Sequence, residues 1–144
     1  IEEVAAEVTA AYPHFEREIN LFIEHYHEMV TNEIEGMYPL LQQLKQEGYR
    51  LYGLTNWCSR VYKTIEQFPI FSLLDGWVIS SAEKMIKPEA GIYQRLYEKF
   101  GLNPEECLFA DDKVENIEGG RRTGMNGIVF KNAAQYEKEL RQLL

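Results

Sequence analysis

The sequence predicts an α/β fold in which a parallel β-sheet is flanked by helices, and three observations support this prediction. From residue 37 onward, short apolar runs alternate with amphipathic segments of helical length, and such alternation is typical of parallel sheets covered on both faces. Several amphipathic segments are bounded by glycine or proline, as helices commonly are. Finally, 144 residues, of which 45% are hydrophobic, suffice to bury the core of one domain.

The first 34 residues differ from the rest of the chain because they contain no strand pattern. Apolar side chains recur there at spacings of three and four, which predicts a helical layer. These side chains are Phe15, Ile19, Phe22, Ile23, Tyr26 and Val30. We therefore expect a helical segment at residues 1–34 and an α/β core at residues 35–144.

Within the core, every predicted strand is followed by a predicted helix. The strands are the runs "YRLYGL", "WVIS", "CLFA" and "GIVF". The helices are "YPLLQQLKQEG", "SRVYKTIEQF", "PEAGIYQRLYEKFG", "VENIEGGRRTG" and "NAAQYEKELRQLL". Gly48 and Gly101 end two of these helices, and Pro88 begins one. Gly119 and Gly120 lie inside a helix, where glycine is unfavourable, so we expect that helix to pack tightly against the sheet.

Charge and composition exclude several classes of protein. The net charge of -8 disfavours a nucleic-acid partner, because such proteins bind phosphates through clustered Lys and Arg. Cys58 and Cys107 form neither a CxxC pair nor a cluster with histidine, so we expect no disulfide framework or zinc site, and a cytoplasmic location. No apolar run reaches the roughly 20 residues of a membrane-spanning helix, so we expect no membrane partner.

Polar side chains follow three of the predicted strands. Thr55 and Asn56 follow the first, Lys87 lies in the loop after the second, and Asp111 and Asp112 follow the third. Because the carboxyl ends of parallel strands meet at one edge of a sheet, we expect these groups to converge. Mg²⁺ favours one or two carboxylates, and Lys and Thr can donate hydrogen bonds to a phosphate. The sequence therefore predicts a site for a phosphate and a divalent cation.

Each of these groups alone also fits a plainer structural role. Thr55 is suited to capping the end of a strand, and Lys87 could be a solvated loop lysine. The pair Asp111-Asp112 could cap the helix that follows it. The order in which the three sites follow successive strands favours the functional interpretation.

The residues at these positions resemble known motifs. "LTN", "KPEAGIY" and "FADDKVENIEGGRRTGM" are similar to the second, third and fourth motifs of the haloacid-dehalogenase-like hydrolases. The similarity is to the branch that contains small sugar-phosphate phosphatases and 2-haloacid dehalogenases. It covers roughly residues 37 to 132, and the preceding helices resemble part of the family's small helical cap. The resemblance implies a Rossmann-like core.

The resemblance also implies a role for each candidate residue. It assigns Thr55, Asn56 and Lys87 to phosphate binding, with Thr55 and Lys87 catalytic and Lys87 also positioning the nucleophile. It assigns the pair Asp111-Asp112 to a Mg²⁺ site, with Asn116 bracing the acidic loop. The substrate implied is a small phosphorylated molecule.

One element of the family pattern is absent. In the family, the nucleophile is the first Asp of a DxD motif after the first strand, and it forms an aspartyl-phosphate. The only aspartates here are Asp75, Asp111 and Asp112, and Asp75 has the setting of a turn residue. We therefore expect the first core strand and the nucleophile to lie outside these 144 residues, on a segment that has been lost or cleaved or that exists as a separate fragment. We also expect the chain alone to be inactive.

Two alternatives to a Mg²⁺-dependent phosphatase stay open. A 2-haloacid dehalogenase needs no metal, although such enzymes usually carry uncharged side chains in place of the acidic pair. A non-catalytic binding or regulatory module could also keep this fold. A signalling receiver domain is excluded by order, because its acidic pair follows the first strand and its lysine the last. The sequence specifies neither the substrate nor the oligomeric state.

Overall fold

The computed structural model describes residues 1–144 and contains four strands that alternate with helices. The strands are β1 (Tyr52–Thr55), β2 (Gly76–Ile79), β3 (Leu108–Asp111) and β4 (Asn126–Val129). The α-helices are α1 (Glu2–Ala11), α2 (Glu16–Glu24), α3 (Met37–Gln46), α4 (Val61–Gln67), α5 (Ser80–Glu83), α6 (Ala90–Phe100), α7 (Val114–Arg122) and α8 (Ala133–Leu143). Short 3-10 helices span Pro13–Phe15, Tyr26–Met29, Pro69–Leu73 and Pro104–Glu106. The predicted α/β alternation is confirmed.

The strands form two parallel pairs. β1 pairs with β2 from Tyr52 opposite Gly76 to Thr55 opposite Ile79. β3 pairs with β4 in the same parallel sense. No backbone hydrogen bonds join β1 to β3, so the predicted parallel sheet is present as two halves.

Helices cover both faces of these half-sheets. On one face, side chains of α6 and α7 pack with strand residues in an apolar cluster of Val78, Ile92, Tyr93, Leu96, Phe109, Ile117 and Met125. On the other face, α3 and α8 contribute to a cluster of Leu40, Leu44, Ile128, Tyr136 and Leu140. Within β3, Phe109 joins the first cluster while Leu108 and Ala110 pack against the second, as the alternation of side chains along a strand requires.

An apolar cavity of about 340 Å³ lies between β1 and β3. Its lining includes Tyr52 and Leu54 of β1 and Leu108 and Phe109 of β3. Side chains from both apolar clusters also reach it, so the cavity passes through the sheet layer.

The two strands present unpaired edges to this cavity. In β1, the carbonyl of Leu51 accepts a hydrogen bond from the Asp75 amide on the β2 side. Because the backbone polar groups of successive strand residues point to alternate edges, those of Tyr52 and Leu54 point toward the cavity. In β3, the carbonyl of Asp111 accepts from Phe130 on the β4 side. The two half-sheets therefore face each other across an apolar gap.

The structure corrects several predicted boundaries. The helical layer predicted from the apolar stripe at residues 15–30 consists of separate helices: α2 ends at Glu24, and a 3-10 helix follows at Tyr26–Met29. β1 begins at Tyr52 rather than at residue 49, because the amide of Tyr49 bonds the carbonyl of Leu44 and belongs to the end of α3. Pro88 precedes α6 by two residues instead of beginning it.

Other local predictions are confirmed. Gly48 and Gly101 follow α3 and α6 with φ of 94° and 60°, the left-handed conformation that ends helices. Residues 1–34 contain helices and no strand, while their status as a separate unit stays a prediction. The one-turn helix α5 was not predicted. None of the helices combines the length and the apolar character that crossing a membrane would require.

Candidate active site

Lys87 lies between the carboxyl ends of β1 and β3, and its side chain is almost fully buried. Its Nζ donates a hydrogen bond to the Leu54 carbonyl in β1 at 2.8 Å. It also donates to Asp111 Oδ2 at the end of β3 at 2.6 Å. Lys87 therefore bridges the two half-sheets and is not a solvated loop lysine.

Asp111 is the most heavily hydrogen-bonded side chain of the site. Besides Lys87, its Oδ1 accepts from the Lys113 amide and from Asn116 Nδ2, both at 2.9 Å. Burial by itself raises the pKa of the Asp111 carboxyl, but the hydrogen bonds from Lys87, the Lys113 amide and Asn116 outweigh it and lower the pKa below its ordinary value. Asp111 therefore stays ionised, and the brace expected from Asn116 is present.

Asp112 has a different environment from its neighbour. It is exposed, and its carboxylate makes no hydrogen bond or ion pair with the rest of the chain. No group of three or more His, Cys, Asp and Glu side chains is placed to hold a metal ion. Mg²⁺, however, is commonly bound by one or two carboxylates, with water and substrate oxygens completing its coordination. The free carboxylate of Asp112 and the remaining lone pairs of Asp111 fit that mode of binding.

Thr55 is the last residue of β1, and Asn56 follows it and contacts Lys87. Thr55 is half-buried, and its hydroxyl makes no hydrogen bond within the chain. The side-chain amide of Asn56 is paired with the backbone of Lys87: Nδ2 donates to the Lys87 carbonyl at 2.9 Å, and Oδ1 accepts from the Lys87 amide at 2.8 Å. Lys87 thus contacts Asn56 through its backbone and Asp111 through its ammonium group, whereas Thr55 and Asp112 make no hydrogen bond to it.

A buried layer beneath the site holds the acidic loop in place. The Tyr93 hydroxyl donates to the Asn116 carbonyl at 2.6 Å. Burial, and then the nearby charge of Asp111, raises the pKa of Tyr93 to about 12, so the hydroxyl keeps its proton. Tyr93 is one apolar-face position among several in α6, and nothing in the sequence distinguished it.

Gly119 also contributes to this layer. A Cβ at Gly119 would lie 2.7 Å from the Pro88 carbonyl oxygen and 2.7 Å from Tyr93 Oη. At Gly120, a Cβ would lie 2.9 Å from Met125 Sδ. A Cβ at Gly120 would also lie 3.3 Å from Phe109 of β3, so the predicted close packing on the sheet is present there, whereas Gly119 packs against Pro88, the residue that follows Lys87.

The fold and site define a Rossmann-like α/β protein with a buried lysine and two carboxylates at the carboxyl ends of parallel strands. The family profile described as haloacid dehalogenase-like hydrolase matches residues 2–130. The chain belongs to this family of hydrolases, as its motifs predicted.

Two curated relatives are named as a phosphatase and as a flavin mononucleotide hydrolase. Over 109 residues the chain is 30% identical to sesquiterpene phosphatase astK of Aspergillus oryzae. The aligned region covers 75% of this chain and 56% of the relative. Over 112 residues it is 31% identical to flavin mononucleotide hydrolase 1 of Arabidopsis thaliana. This aligned region covers 76% of this chain and 45% of the relative. The chain thus spans about half the length of the curated relatives that it matches.

Solved structures share the fold. A HAD-like (haloacid dehalogenase-like) family hydrolase from Porphyromonas gingivalis superposes with a TM-score of 0.69 at 22% identity, covering 79% of this chain and 58% of that chain. A HAD family enzyme from Bacteroides thetaiotaomicron, solved with magnesium and inorganic phosphate, gives a TM-score of 0.59 at 27% identity. That match covers 65% of this chain and 50% of the other.

Proposed function

We propose that this chain carries the phosphate-binding and metal-binding part of a Mg²⁺-dependent phosphatase, which hydrolyses a small phosphorylated metabolite through an aspartyl-phosphate. The observation that carries the proposal is the placement of Lys87. Its ammonium group is buried at the carboxyl ends of β1 and β3, beside an ionised carboxylate. A chain that only needed a stable core would gain little from burying this charge.

The remaining hydrogen-bonding capacity at the site suits a phosphate. A lysine ammonium has three donors, and Lys87 uses two of them on Leu54 and Asp111. The third donor and the free hydroxyl of Thr55 can donate to phosphate oxygens. Phosphoryl transfer depends mainly on positioning and on stabilising the charge of the transferred group, which are the functions that such donors perform.

Asp111 and Asp112 would hold the Mg²⁺ ion. When bound, the ion supplies positive charge that neutralises the phosphate oxygens. Asp112 is free to bind it, and Asp111 is fixed in direction by its hydrogen bonds. The solved relative from Bacteroides thetaiotaomicron, which holds magnesium and phosphate together, supports this assignment.

The nucleophilic aspartate would come from a further parallel strand in the cavity between β1 and β3. Such a strand would satisfy both unpaired edges, and its carboxyl end would reach Lys87. None of the aspartates described above suits this role: Asp75 accepts from the Leu51 amide at the amino end of β1, whereas Asp111 and Asp112 are assigned to the metal. We therefore expect the 144 residues alone to be inactive.

Phosphate release by the full-length gene product tests the proposal. The panel contains sugar phosphates, flavin mononucleotide and a sesquiterpenoid phosphate, because the relatives are named for the last two classes. Each ester is assayed with Mg²⁺ and with excess chelator. We expect release that needs the metal and that is lost from the 144-residue chain alone.

A matched pair of lysine variants tests the site itself. Lys45 and Lys87 each donate to an aspartate at 2.6 Å, but Lys45 bonds Asp75 at the opposite end of the strands. Lys87→Met should lower kcat/KM by on the order of 10²–10³-fold or more, whereas Lys45→Met should retain activity. An active Lys87→Met enzyme would contradict the proposal. Halide release from 2-haloacids in chelator would instead indicate a dehalogenase, and no turnover of any ester would indicate a binding module.

A further inference from the structure

We infer that Asn56 is a positioning residue that fixes Lys87, and that it acts on phosphate only through that lysine. This inference rests on the proposed function of the site. It differs from the role implied by resemblance, in which Asn56 binds the phosphate itself. The two polar ends of the Asn56 amide are both turned to the backbone of Lys87, 31 residues further along the chain.

The contact is a two-point clamp, by which we mean the paired hydrogen bonds between the Asn56 amide and the Lys87 peptide groups. One bond runs in each direction, at 2.9 Å and 2.8 Å. Only a side chain with a donor and an acceptor on one planar group can make both. Aspartate lacks the donor, and alanine lacks both groups.

The clamp matters because the end of β1 also holds the side-chain ammonium group of Lys87. Its Nζ donates to the carbonyl of Leu54, two residues before Asn56. The end of β1 therefore fixes both the backbone and the ammonium group of this lysine. Without the clamp, the loop that carries Lys87 loses its backbone attachment to β1, and the third donor of Nζ loses its direction.

The neighbouring α7 supports the same arrangement. Gly119 packs against Pro88, the residue that follows Lys87, at a distance that leaves no room for a methyl group. The Lys87–Pro88 segment thus lies between the clamp on one side and α7 on the other. A segment held on both sides is consistent with a requirement for accurate placement of the ammonium group.

One N–H of Asn56 Nδ2 is left over, so a direct contact with phosphate is the competing role. The two roles predict different effects when substitutions of Asn56 and Lys87 are combined. A residue that acts only through Lys87 has no effect once Lys87 is removed, whereas an independent ligand of phosphate contributes in any background.

A double-mutant cycle on the full-length gene product separates these roles. The dissociation constant of inorganic phosphate is measured by calorimetry in the presence of Mg²⁺ for the wild type, Asn56→Ala, Lys87→Met and the double variant. We expect Asn56→Ala to weaken phosphate binding by about tenfold, and to weaken it no further in the Lys87→Met background. Equal weakening in both backgrounds would overturn the inference.

Amide hydrogen exchange provides a second readout that does not depend on phosphate. The Lys87 amide should exchange faster in Asn56→Ala by on the order of tenfold, because its acceptor is gone. Asn132→Ala is the control: it removes a cap at the start of α8, where Asn132 Oδ1 accepts from the Gln135 amide at 2.9 Å. In Asn132→Ala, the Lys87 amide should exchange as slowly as in the wild type. Unchanged exchange of the Lys87 amide in Asn56→Ala would overturn the clamp. A wild type that binds no phosphate would instead overturn the proposed function, and the exchange result would then decide the clamp alone.

Discussion

The packing of Gly119 against Pro88 predicts that a single added methyl group disturbs both stability and the candidate site. The added Cβ would sit 2.7 Å from the Pro88 carbonyl oxygen and from Tyr93 Oη. Neither neighbour moves freely, because Pro88 follows the clamped Lys87 and Tyr93 is fully buried. Overpacking of this kind costs about 1–3 kcal/mol. Replacing a helical glycine by alanine stabilises by only about 0.5–1 kcal/mol, so we expect a net loss for Gly119→Ala.

Two other helical glycines are matched controls. A Cβ at Gly91 in α6 would lie 3.5 Å from Met85 Sδ, an ordinary contact, so Gly91→Ala should stabilise the protein. A Cβ at Gly120 would press at 2.9 Å on Met125 Sδ, in a flexible side chain that can adjust. Gly120→Ala should therefore fall between Gly91→Ala and Gly119→Ala.

Thermal unfolding of the full-length gene product, followed by circular dichroism, measures this order. For a protein of this size, 1 kcal/mol changes Tm by roughly 2–4 °C, so the differences are measurable. Gly119→Ala should also weaken phosphate binding, because the displaced Pro88 moves Lys87. A Gly119→Ala variant with a Tm equal to that of Gly91→Ala would refute the reasoning.

Three further predictions concern stability away from the site. The hydrogen bond from Lys45 and the one from a backbone amide lower the pKa of Asp75, and a lowered pKa stabilises the folded state only while the carboxyl is ionised. Asp75→Asn should therefore lower the free energy of unfolding in urea at pH 7, and the difference should vanish as the pH falls through the lowered pKa of Asp75. Asn132→Ala should cost about 1 kcal/mol in urea unfolding, because it removes a helix cap. Arg141→Gln breaks an exposed ion pair with Glu47, so any loss of Tm at low salt should disappear in 1 M salt, at which the Debye length is about 3 Å.

The fold was largely predictable because its signals are local. Alternating apolar runs and amphipathic segments identified all four strands, and glycines with left-handed backbone located the ends of α3 and α6. The errors also have local causes. "YRLYGL" looks like a strand throughout, but Tyr49 bonds Leu44 at the end of α3 and is therefore unavailable to β1. The unpaired edges of β1 and β3 have no local signal, because an apolar strand has the same composition whether one edge or both are paired.

The candidate site was predictable only in outline. The order of Thr55, Lys87 and the acidic pair predicted convergence, and the structure places Lys87 against Asp111. The clamp was not predictable, because it joins the side chain of Asn56 to the backbone of a residue far along the chain. The Leu54 carbonyl that accepts from Lys87 is equally invisible, since every residue has such a group.

Asp111 and Asp112 are adjacent, but the chain compensates their charges differently. Asp111 is compensated within the chain by hydrogen bonds from Lys87, Asn116 and a backbone amide. Asp112 lies in solvent, where its charge carries no burial cost. The two carboxylates are therefore not equivalent. Substituting Asp112 tests metal binding alone, whereas substituting Asp111 also frees Lys87, so only the first variant separates the metal from the phosphate-binding lysine.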